Sequence, residues 1–430
     1  MSKGIEMTSA PVQADRVPRP AQDAVGAHRH RRQLSQGAAF WVVASAFATV
    51  MAFGTVPTPL WPLYEARDHF GPATVTMAFA AMVAGAAAVF STLGHLSDRI
   101  GRRRVMVPAL LTTCLAAAVM AESPALPSLI VGRLLIGAAV GLTASTATAY
   151  MTDLHQAADG RRTESRTPGL VATAANLGGL SLGPLAAGAL AEWAPGPLTT
   201  PYLVFSLLAA ALALLVSWCP ETVAHVTPEG GHSRRFALRP GRAAAFAGAA
   251  AVGFFAFAVM GLFSALGAII VRAQLGITST FIVGLVPFAA LAASAAGQLV
   301  LGRLSFRGQF RTGIALFPVG LALTAVTLYR PALWLALTAA CFAGAGAGLL
   351  FKGAVTQSAA AAEPDSRAGV LAFFFVTAYL GMGLPTIAFS MLIQRLAVRP
   401  SLIGFASALA VGAGLAVTVA VRAEQSTARA

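Results

Sequence analysis

The stretch GHLSDRIGRRRV, residues 94–105, concentrates charge in a chain that has little of it. Only 11% of the 430 residues are charged, and five of these fall within seven positions: Asp98, Arg99, Arg102, Arg103 and Arg104. Apolar residues make up 57% of the chain, and the mean hydropathy is +0.73. Soluble proteins do not have this composition. The stretch is therefore interpreted as a polar connection between membrane-spanning segments.

Apolar stretches on both sides of this connection are long enough to cross a bilayer, which takes about 20 residues as a helix. The sequence predicts twelve such spans, at 38–63, 73–95, 105–122, 128–150, 168–191, 200–218, 244–270, 279–302, 312–329, 332–354, 369–391 and 400–421. The predicted fold class is an all-α membrane protein whose twelve transmembrane helices form two six-helix halves.

The polar segments divide the chain. We expect a disordered cytoplasmic tail at 1–36, a first half at 37–220, a linker at 221–242, a second half at 243–421 and a short tail at 422–430. The segment GQLVLGRLSFRG, residues 297–308, is a weak copy of the opening stretch, with Gly302 at the position of its aspartate. Internal duplication of this kind is common in secondary transporters, whose substrate site lies between the repeats.

The basic residues predict the orientation, because Lys and Arg near span ends stay on the cytoplasmic side. With the amino terminus inside, 23 of the 30 basic residues lie in cytoplasmic segments and five lie outside: Arg67, Arg272, Arg330, Arg395 and Arg399. The sequence therefore predicts a multi-pass protein of the plasma (inner) membrane with both termini cytoplasmic. Retention by anionic lipid also accounts for the net charge of +14.

Several function classes are disfavoured. No segment between spans is long enough to form a basic domain that binds nucleic acid. Cys114, Cys219 and Cys341 lack the spacing of a metal or redox site, and AGAGAGLL, residues 343–350, is expected to pack helices and not to bind a dinucleotide. We expect no cofactor, no metal and no enzymatic activity. The expected partners are a small-molecule substrate and the bilayer, and the expected state is a monomer.

The opening stretch resembles the signature loop of the major facilitator superfamily, through Gly94, Asp98, Arg99, Gly101, Arg102 and Arg103. With the twelve spans and the central linker, the resemblance extends from about residue 37 to 421. It implies that this loop forms a charge network with the neighbouring half, which holds one conformation and breaks when the transporter switches. A purely structural alternative is a basic anchor at the membrane surface.

A second motif, GGLSLGPLAAG at residues 178–188, resembles the family's antiporter motif through Gly179, Gly183, Pro184 and Gly188, with Ala187 in place of a usual glycine. Pro184 removes a backbone donor, and the small residues allow another helix to approach closely. The resemblance implies an exporter that works by proton antiport. Ordinary small-residue packing is the alternative.

No Asp or Glu lies at the middle of any predicted span, so proton coupling has no obvious carboxylate. Arg133 lies within the fourth span, followed by Gly137 and Gly141, and this arrangement also resembles a family motif linked to proton transfer. An Arg at that depth is costly unless it faces protein or water. The candidates for proton or substrate coupling are Arg133, Glu65 and Glu122. Snorkelling of Arg133 to the membrane surface is the alternative.

The substrate is expected to be lipophilic or amphiphilic. In this family the cavity is lined mainly by spans one, four, seven and ten. The candidate lining residues are mostly aromatic, with two amides: Phe53, Asn176, Phe254, Phe257, Gln298 and Phe342. Sugars would require more amides and carboxylates. The predicted function is proton-driven export of drugs or secondary metabolites. The alternatives are proton-coupled uptake of a small metabolite or sugar and, more remotely, a membrane sensor or enzyme.

Overall fold

The computed structural model describes residues 33–429 apart from 69–71, 95, 124, 160–164, 166, 224–235 and 394. All but the last four residues of the predicted tail at 1–36, and the middle of the linker, lie outside the described residues. The helices are α1 Gln36–Thr55, α2 Trp61–Asp68, α3 Pro72–Thr92, α4 Leu96–Ile100, α5 Arg102–Glu122, α6 Leu126–Asp159, α7 Thr167–Trp193, α8 Thr200–Ser217, α9 Ala243–Ala268, α10 Thr280–Val300, α11 Phe306–Thr327, α12 Leu333–Ala361, α13 Arg367–Ile393 and α14 Val398–Arg429.

Nearly every described residue outside the turns is helical, which confirms the predicted fold class. Eleven helical segments in the described part of the chain are long and apolar enough to cross a membrane, and α3 adds a shorter apolar stretch, Met77–Phe90. The first segment continues from α1 into α2 through a tight turn at Thr58–Leu60. Pro57 and Pro59 lie at this turn, and because proline has no N–H to donate, they interrupt α1 there.

The helices pair in the same way in both halves. In the first half, α3 and α5 pack on α6, α1 packs on α7, and α5 packs on α8. The second half repeats these pairs as α10 and α11 on α12, α9 on α13, and α11 on α14. Each half also has its own core of buried apolar residues. The weak sequence echo between the halves therefore corresponds to a repeated helix arrangement.

Glycines bring the paired helices into backbone contact. A Cβ at Gly137 of α6 would overlap the Met82 carbonyl of α3, and a Cβ at Gly344 of α12 would overlap the Ala290 carbonyl of α10. Small residues permit this approach. The AGAGAGLL segment therefore packs α12 on its neighbours, as the sequence indicates.

Two helix pairs join the halves, α7 with α10 and α3 with α13. We call the end of the bundle that carries residues 94–104 and 219–223 the basic end, and the end that carries Glu122 and Glu192 the opposite end. The α7–α10 pair meets at the opposite end, and the α3–α13 pair runs from the middle of the bundle towards the basic end. A space remains between the two pairs.

Candidate functional site

A cavity lined by residues of both halves lies in this space. Helices α1, α3, α6 and α7 form one wall, and α9, α10, α12 and α13 form the other. The first half contributes an almost wholly apolar wall: Gly54, Thr55, Met82, Val140, Leu177 and Leu180.

Among the described lining residues, the polar side chains without a hydrogen-bond partner come from the second half. Ser294, Gln298 and Tyr379 line that wall. The one polar side chain of the first wall, Thr55, has its hydroxyl 2.8 Å from the Leu180 carbonyl, so its proton is already engaged. None of the described residues that line the cavity is charged. The site is therefore apolar on one side and weakly polar on the other.

An aromatic cluster borders the second wall. The rings of Phe257 and Phe351 lie 4.8 Å apart between centroids, and Tyr379 meets Phe257 edge-on at 5.5 Å. The cluster continues to the first half, because Phe90 of α3 stacks on Phe375 of α13 at 5.5 Å. These spacings are those of favourable aromatic pairs. The cluster thus forms part of the cavity and part of the contact between the halves.

Arg133 lies behind the first wall and is only 2% exposed. Its Nη1 donates a hydrogen bond of 2.7 Å to the carbonyl of Gly54, and its guanidinium lies 5.5 Å from the ring centroid of Phe79. Its Nε is buried with no hydrogen-bond partner among the described residues. Gly54 itself lines the cavity. Arg133 therefore faces protein, and snorkelling to the membrane surface does not describe its position.

The small residues of α7 form two contacts. A Cβ at Gly179 or Gly183 would overlap the backbone of α1, at Ala48 or Ala52. Further along α7, the Pro184 carbonyl lies against Gly284 of α10 and Gly188 lies against Thr280, so this segment packs on the other half. The Gly–Pro motif thus occupies the interface that joins the halves at the opposite end.

A charged contact lies at the end of that interface. The Glu192 carboxylate accepts a hydrogen bond of 2.7 Å from the backbone N–H of Thr280, the first residue of α10. Beside it, the rings of Trp193 and Phe281 pack at 5.1 Å. Burial lowers the pKa of Arg272, and the nearby carboxylates of Glu65 and Glu192 raise it. These groups form a joint between the halves that contains hydrogen bonds, ring contacts and opposite charges.

The signature loop forms a network at the basic end, and Arg102 is its centre. Arg102 pairs with Asp98 in the same loop and, at 3.3 Å, with Asp153 of α6. Its backbone N–H donates to Glu221 at 2.7 Å. Asp98 remains 57% exposed. Within the described part of the chain these partners belong to the first half and the linker, whereas the family resemblance implies partners in the second half.

Two other loop residues, Arg103 and Gly101, contact the segment at 219–221, where α8 leads into the linker. Arg103 donates to the Cys219 carbonyl at 3.1 Å, while Arg99 is exposed. Gly101 has φ +112°, and a Cβ there would lie 2.5 Å from the Glu221 carboxylate. The position therefore needs glycine for its backbone and for space. Gly94 lies so close to the Phe90 carbonyl that a Cβ would come within 2.9 Å of it.

A family model described as the Major Facilitator Superfamily matches residues 40–385. The chain belongs to the Major Facilitator Superfamily. It is 37% identical over 73 residues to the glucose transporter GlcP of Staphylococcus epidermidis, and 35% identical over 116 residues to the class C tetracycline resistance protein of Escherichia coli. These alignments cover 17% and 27% of this chain and only 16% and 27% of the two relatives.

Solved structures share the fold of this transporter. The human organic anion transporter MFSD10 (TETRAN) superposes with a TM-score of 0.62 at 16% identity, over 89% of this chain and 100% of that one. A mutant of the nucleoside transporter NupG superposes with a TM-score of 0.64 at 12% identity, over 90% and 99%. At such identities the similarity extends to the fold alone.

Two of the six predicted cavity residues line the cavity in the structure. Phe257 and Gln298 line the cavity. Phe53 instead packs inside the first half against Tyr202 and Phe205. Phe342 is 38% exposed on the outside of the bundle. Asn176 is half-buried, and Phe254 packs on Phe255. Both are outside the described lining of the cavity. These four side chains are not among the described residues that line this cavity.

The predicted coupling acids of the transporter lie at the opposite end. Glu122 is exposed at the end of α5. Glu65 is exposed on α2, near Arg272. Sequence reasoning missed two polar groups: Glu221, which directly follows the sixth span, and the buried pair Tyr64–Tyr202, whose hydroxyls lie 3.0 Å apart. An acid directly after a span could have drawn attention to Glu221, whereas no local pattern marks the tyrosine pair.

Proposed function

We propose that this transporter exports small lipophilic or amphiphilic compounds, such as drugs or secondary metabolites. The observation that carries the proposal is the central cavity, which has an apolar first wall, an aromatic cluster and no charged residue among its described lining residues. Such a surface binds apolar compounds by removing them from water. The match to the tetracycline resistance protein supports the same direction of transport.

Transport proceeds by alternating access between the two helix pairs that join the halves. Opening at the opposite end requires α7 and α10 to separate, and opening at the basic end requires α3 and α13 to separate. Each pair buries small or aromatic residues against the other half, so closing one side compensates for opening the other. The Gly–Pro segment of α7 lies in the first of these interfaces and supports antiport.

A proton gradient is the proposed energy source, and no cofactor is needed. The proposed orientation places the basic end and both termini in the cytoplasm, with the transporter as a monomer in the plasma (inner) membrane. The exposed Arg99 and Arg104 of this loop then lie on the cytoplasmic side, where anionic lipid favours basic residues, which supports this orientation.

Proton-coupled uptake of a small metabolite or sugar is the second candidate. The match to a glucose transporter supports it, although that match covers only 73 residues. A sugar has hydroxyls on every side and needs several amide and carboxylate partners. The cavity has one lining amide, that of Gln298, and no lining carboxylate among the described residues. Its chemistry therefore favours an amphiphile.

Proteoliposomes with an imposed pH gradient test the proposal. Vesicles should be prepared with the basic end outside, and uptake of acridone, glucose and uridine should be measured with and without a protonophore. We expect acridone to accumulate against its gradient only when the lumen is acidic, and the protonophore to abolish this accumulation. Accumulation of glucose or uridine driven by an acidic outer medium, with none of acridone under either gradient, would overturn export in favour of the second candidate.

A further inference from the structure

Among the described lining residues, Gln298 carries a buried amide nitrogen that has no hydrogen-bond partner. The side chain is 6% exposed and lines the cavity, and its Nε2 has no hydrogen-bond partner among the described residues. A buried amide without a partner is unfavourable, because no hydrogen bond compensates for its loss of water. A ligand that pairs with this amide recovers that free energy when it binds. The inference that follows rests on the function proposed above and specifies its substrate.

The position of this amide is fixed by its helix. Leu291, Ser294 and Gln298 follow one another at helical spacing along α10, so they form one stripe facing the cavity. The Lys352 ammonium of α12 donates to the backbone carbonyl of Gln298 at 2.9 Å. This bond holds the backbone and leaves the side-chain amide for a ligand. Gly297 packs against the Ala345 carbonyl on the neighbouring face.

The other lining residues indicate which chemical groups the ligand has besides the one that bonds to Gln298. Phe257, Phe351 and Tyr379 line the same wall of the cavity as the amide. The wall opposite them is apolar. A charged ligand would find no counter-ion among the described lining residues, and burial of an unpaired charge is strongly unfavourable. The preferred ligand therefore has an apolar body, one hydrogen-bonding group and no net charge.

We propose that the cavity binds an uncharged polycyclic aromatic compound that carries a carbonyl or hydroxyl group, and that Gln298 determines this specificity. The amide offers both a donor and an acceptor, so either ligand group can pair with it. The ligand's polar edge faces α10, its rings contact the aromatic cluster, and its apolar edge faces the first half.

Binding of three matched tricyclic probes tests this proposal. Acridone is neutral and has a carbonyl, N-methylacridinium has a fixed positive charge, and acridine-9-carboxylate is an anion. Each is measured by equilibrium dialysis against the full-length protein in detergent micelles, with empty micelles as the reference. We expect acridone to bind at least tenfold more tightly than either ion.

Two variants assign the preference to the amide. Gln298→Leu should weaken acridone binding about 3- to 10-fold, the effect of one lost hydrogen bond. Gln298→Glu should increase binding of N-methylacridinium about tenfold, because it adds a buried negative charge. Gln357→Leu is the matched control, since Gln357 is a buried amide outside the cavity that donates to the Ala420 carbonyl. It should leave binding of all three probes unchanged.

The outcomes are distinct. Size-exclusion elution and melting temperature identify any variant that does not fold, and Gln298→Glu then replaces Gln298→Leu as the informative variant. Equal binding of neutral and charged probes, or acridone binding unaffected by both Gln298 variants, would overturn the proposal. Binding is measured without transport, so a protein that binds acridone through Gln298 but does not export it would refute only the proposed function.

Discussion

Arg133 of α6 donates a 2.7 Å hydrogen bond to the carbonyl of Gly54, in the last turn of α1. The last four carbonyls of a helix lack partners within it and carry the negative end of the helix dipole. A buried cation there is stabilised without a carboxylate. Because Gly54 lines the cavity, this bond connects α6 to the first wall of the cavity.

Replacement of Arg133 tests this connection. We expect Arg133→Leu and Arg133→Lys to reach the membrane at normal abundance but to transport at less than about a tenth of the native rate, since each loses a charge-assisted bond or the planar guanidinium. The measurement is proton-driven uptake into proteoliposomes. Arg311→Leu, which removes an exposed cation, is the control. Full activity of both Arg133 variants would show that the bond is not needed for transport.

The Glu192–Thr280 hydrogen bond should hold the opposite end closed. Spin labels at Ala194→Cys and Gln274→Cys, with the three native cysteines replaced by serine, report the distance across this joint. We expect Glu192→Ala to increase the population with the longer distance about fivefold, because a charge-assisted bond is lost. Glu122→Ala removes an exposed acid at the same end and should leave the distances unchanged. Identical distributions in both variants would exclude this role for Glu192.

Gly101 should be sensitive to a methyl group. Gly101→Ala introduces a Cβ 2.5 Å from the Glu221 carboxylate at a backbone φ of +112°. Gly241→Ala is the matched control, because φ is +75° there and no heavy atom lies within 4 Å of the added Cβ. We expect Gly101→Ala to lower the melting temperature by about 2 °C more than Gly241→Ala. Equal melting temperatures would mean that the linker moves aside at little cost.

Asp98 should affect switching more than assembly. Asp98→Asn removes the charge that faces Arg102 and should abolish most transport while abundance stays near normal, because a conformational equilibrium is set by a few kcal/mol. Asp159→Asn is the control, since Asp159 is another exposed acid of the basic end, paired with His155. Unchanged transport in Asp98→Asn would reduce the loop to a basic anchor.

The proposed orientation is tested by reporter fusions after residues 232 and 425. Both should report the cytoplasm, because the basic segments stay on that side. A periplasmic signal from either fusion, with normal transport by the fused protein, would contradict the orientation.

The loop at residues 94–105 could be located from sequence, and so could the glycine–proline segment of α7. Both depend on residues that are unusual for their surroundings: charges in an apolar chain, and glycine at regular spacing around a proline. The residues that these motifs contact in the folded protein could not be identified from local sequence. Asp153 and Glu221 meet Arg102 from positions 51 and 119 residues away, and no local pattern links them.

The amino-acid sequence by itself determined the fold class, the helices and the polar connections, because the length and hydropathy of a segment are local properties that a bilayer selects directly. Only the tertiary structure decided which residues line the cavity. Most of these helices are apolar on every side, so no polar face indicates how each one is rotated. Phe257 and Phe342 look alike in sequence, yet helix packing turns Phe257 into the cavity and Phe342 away from it.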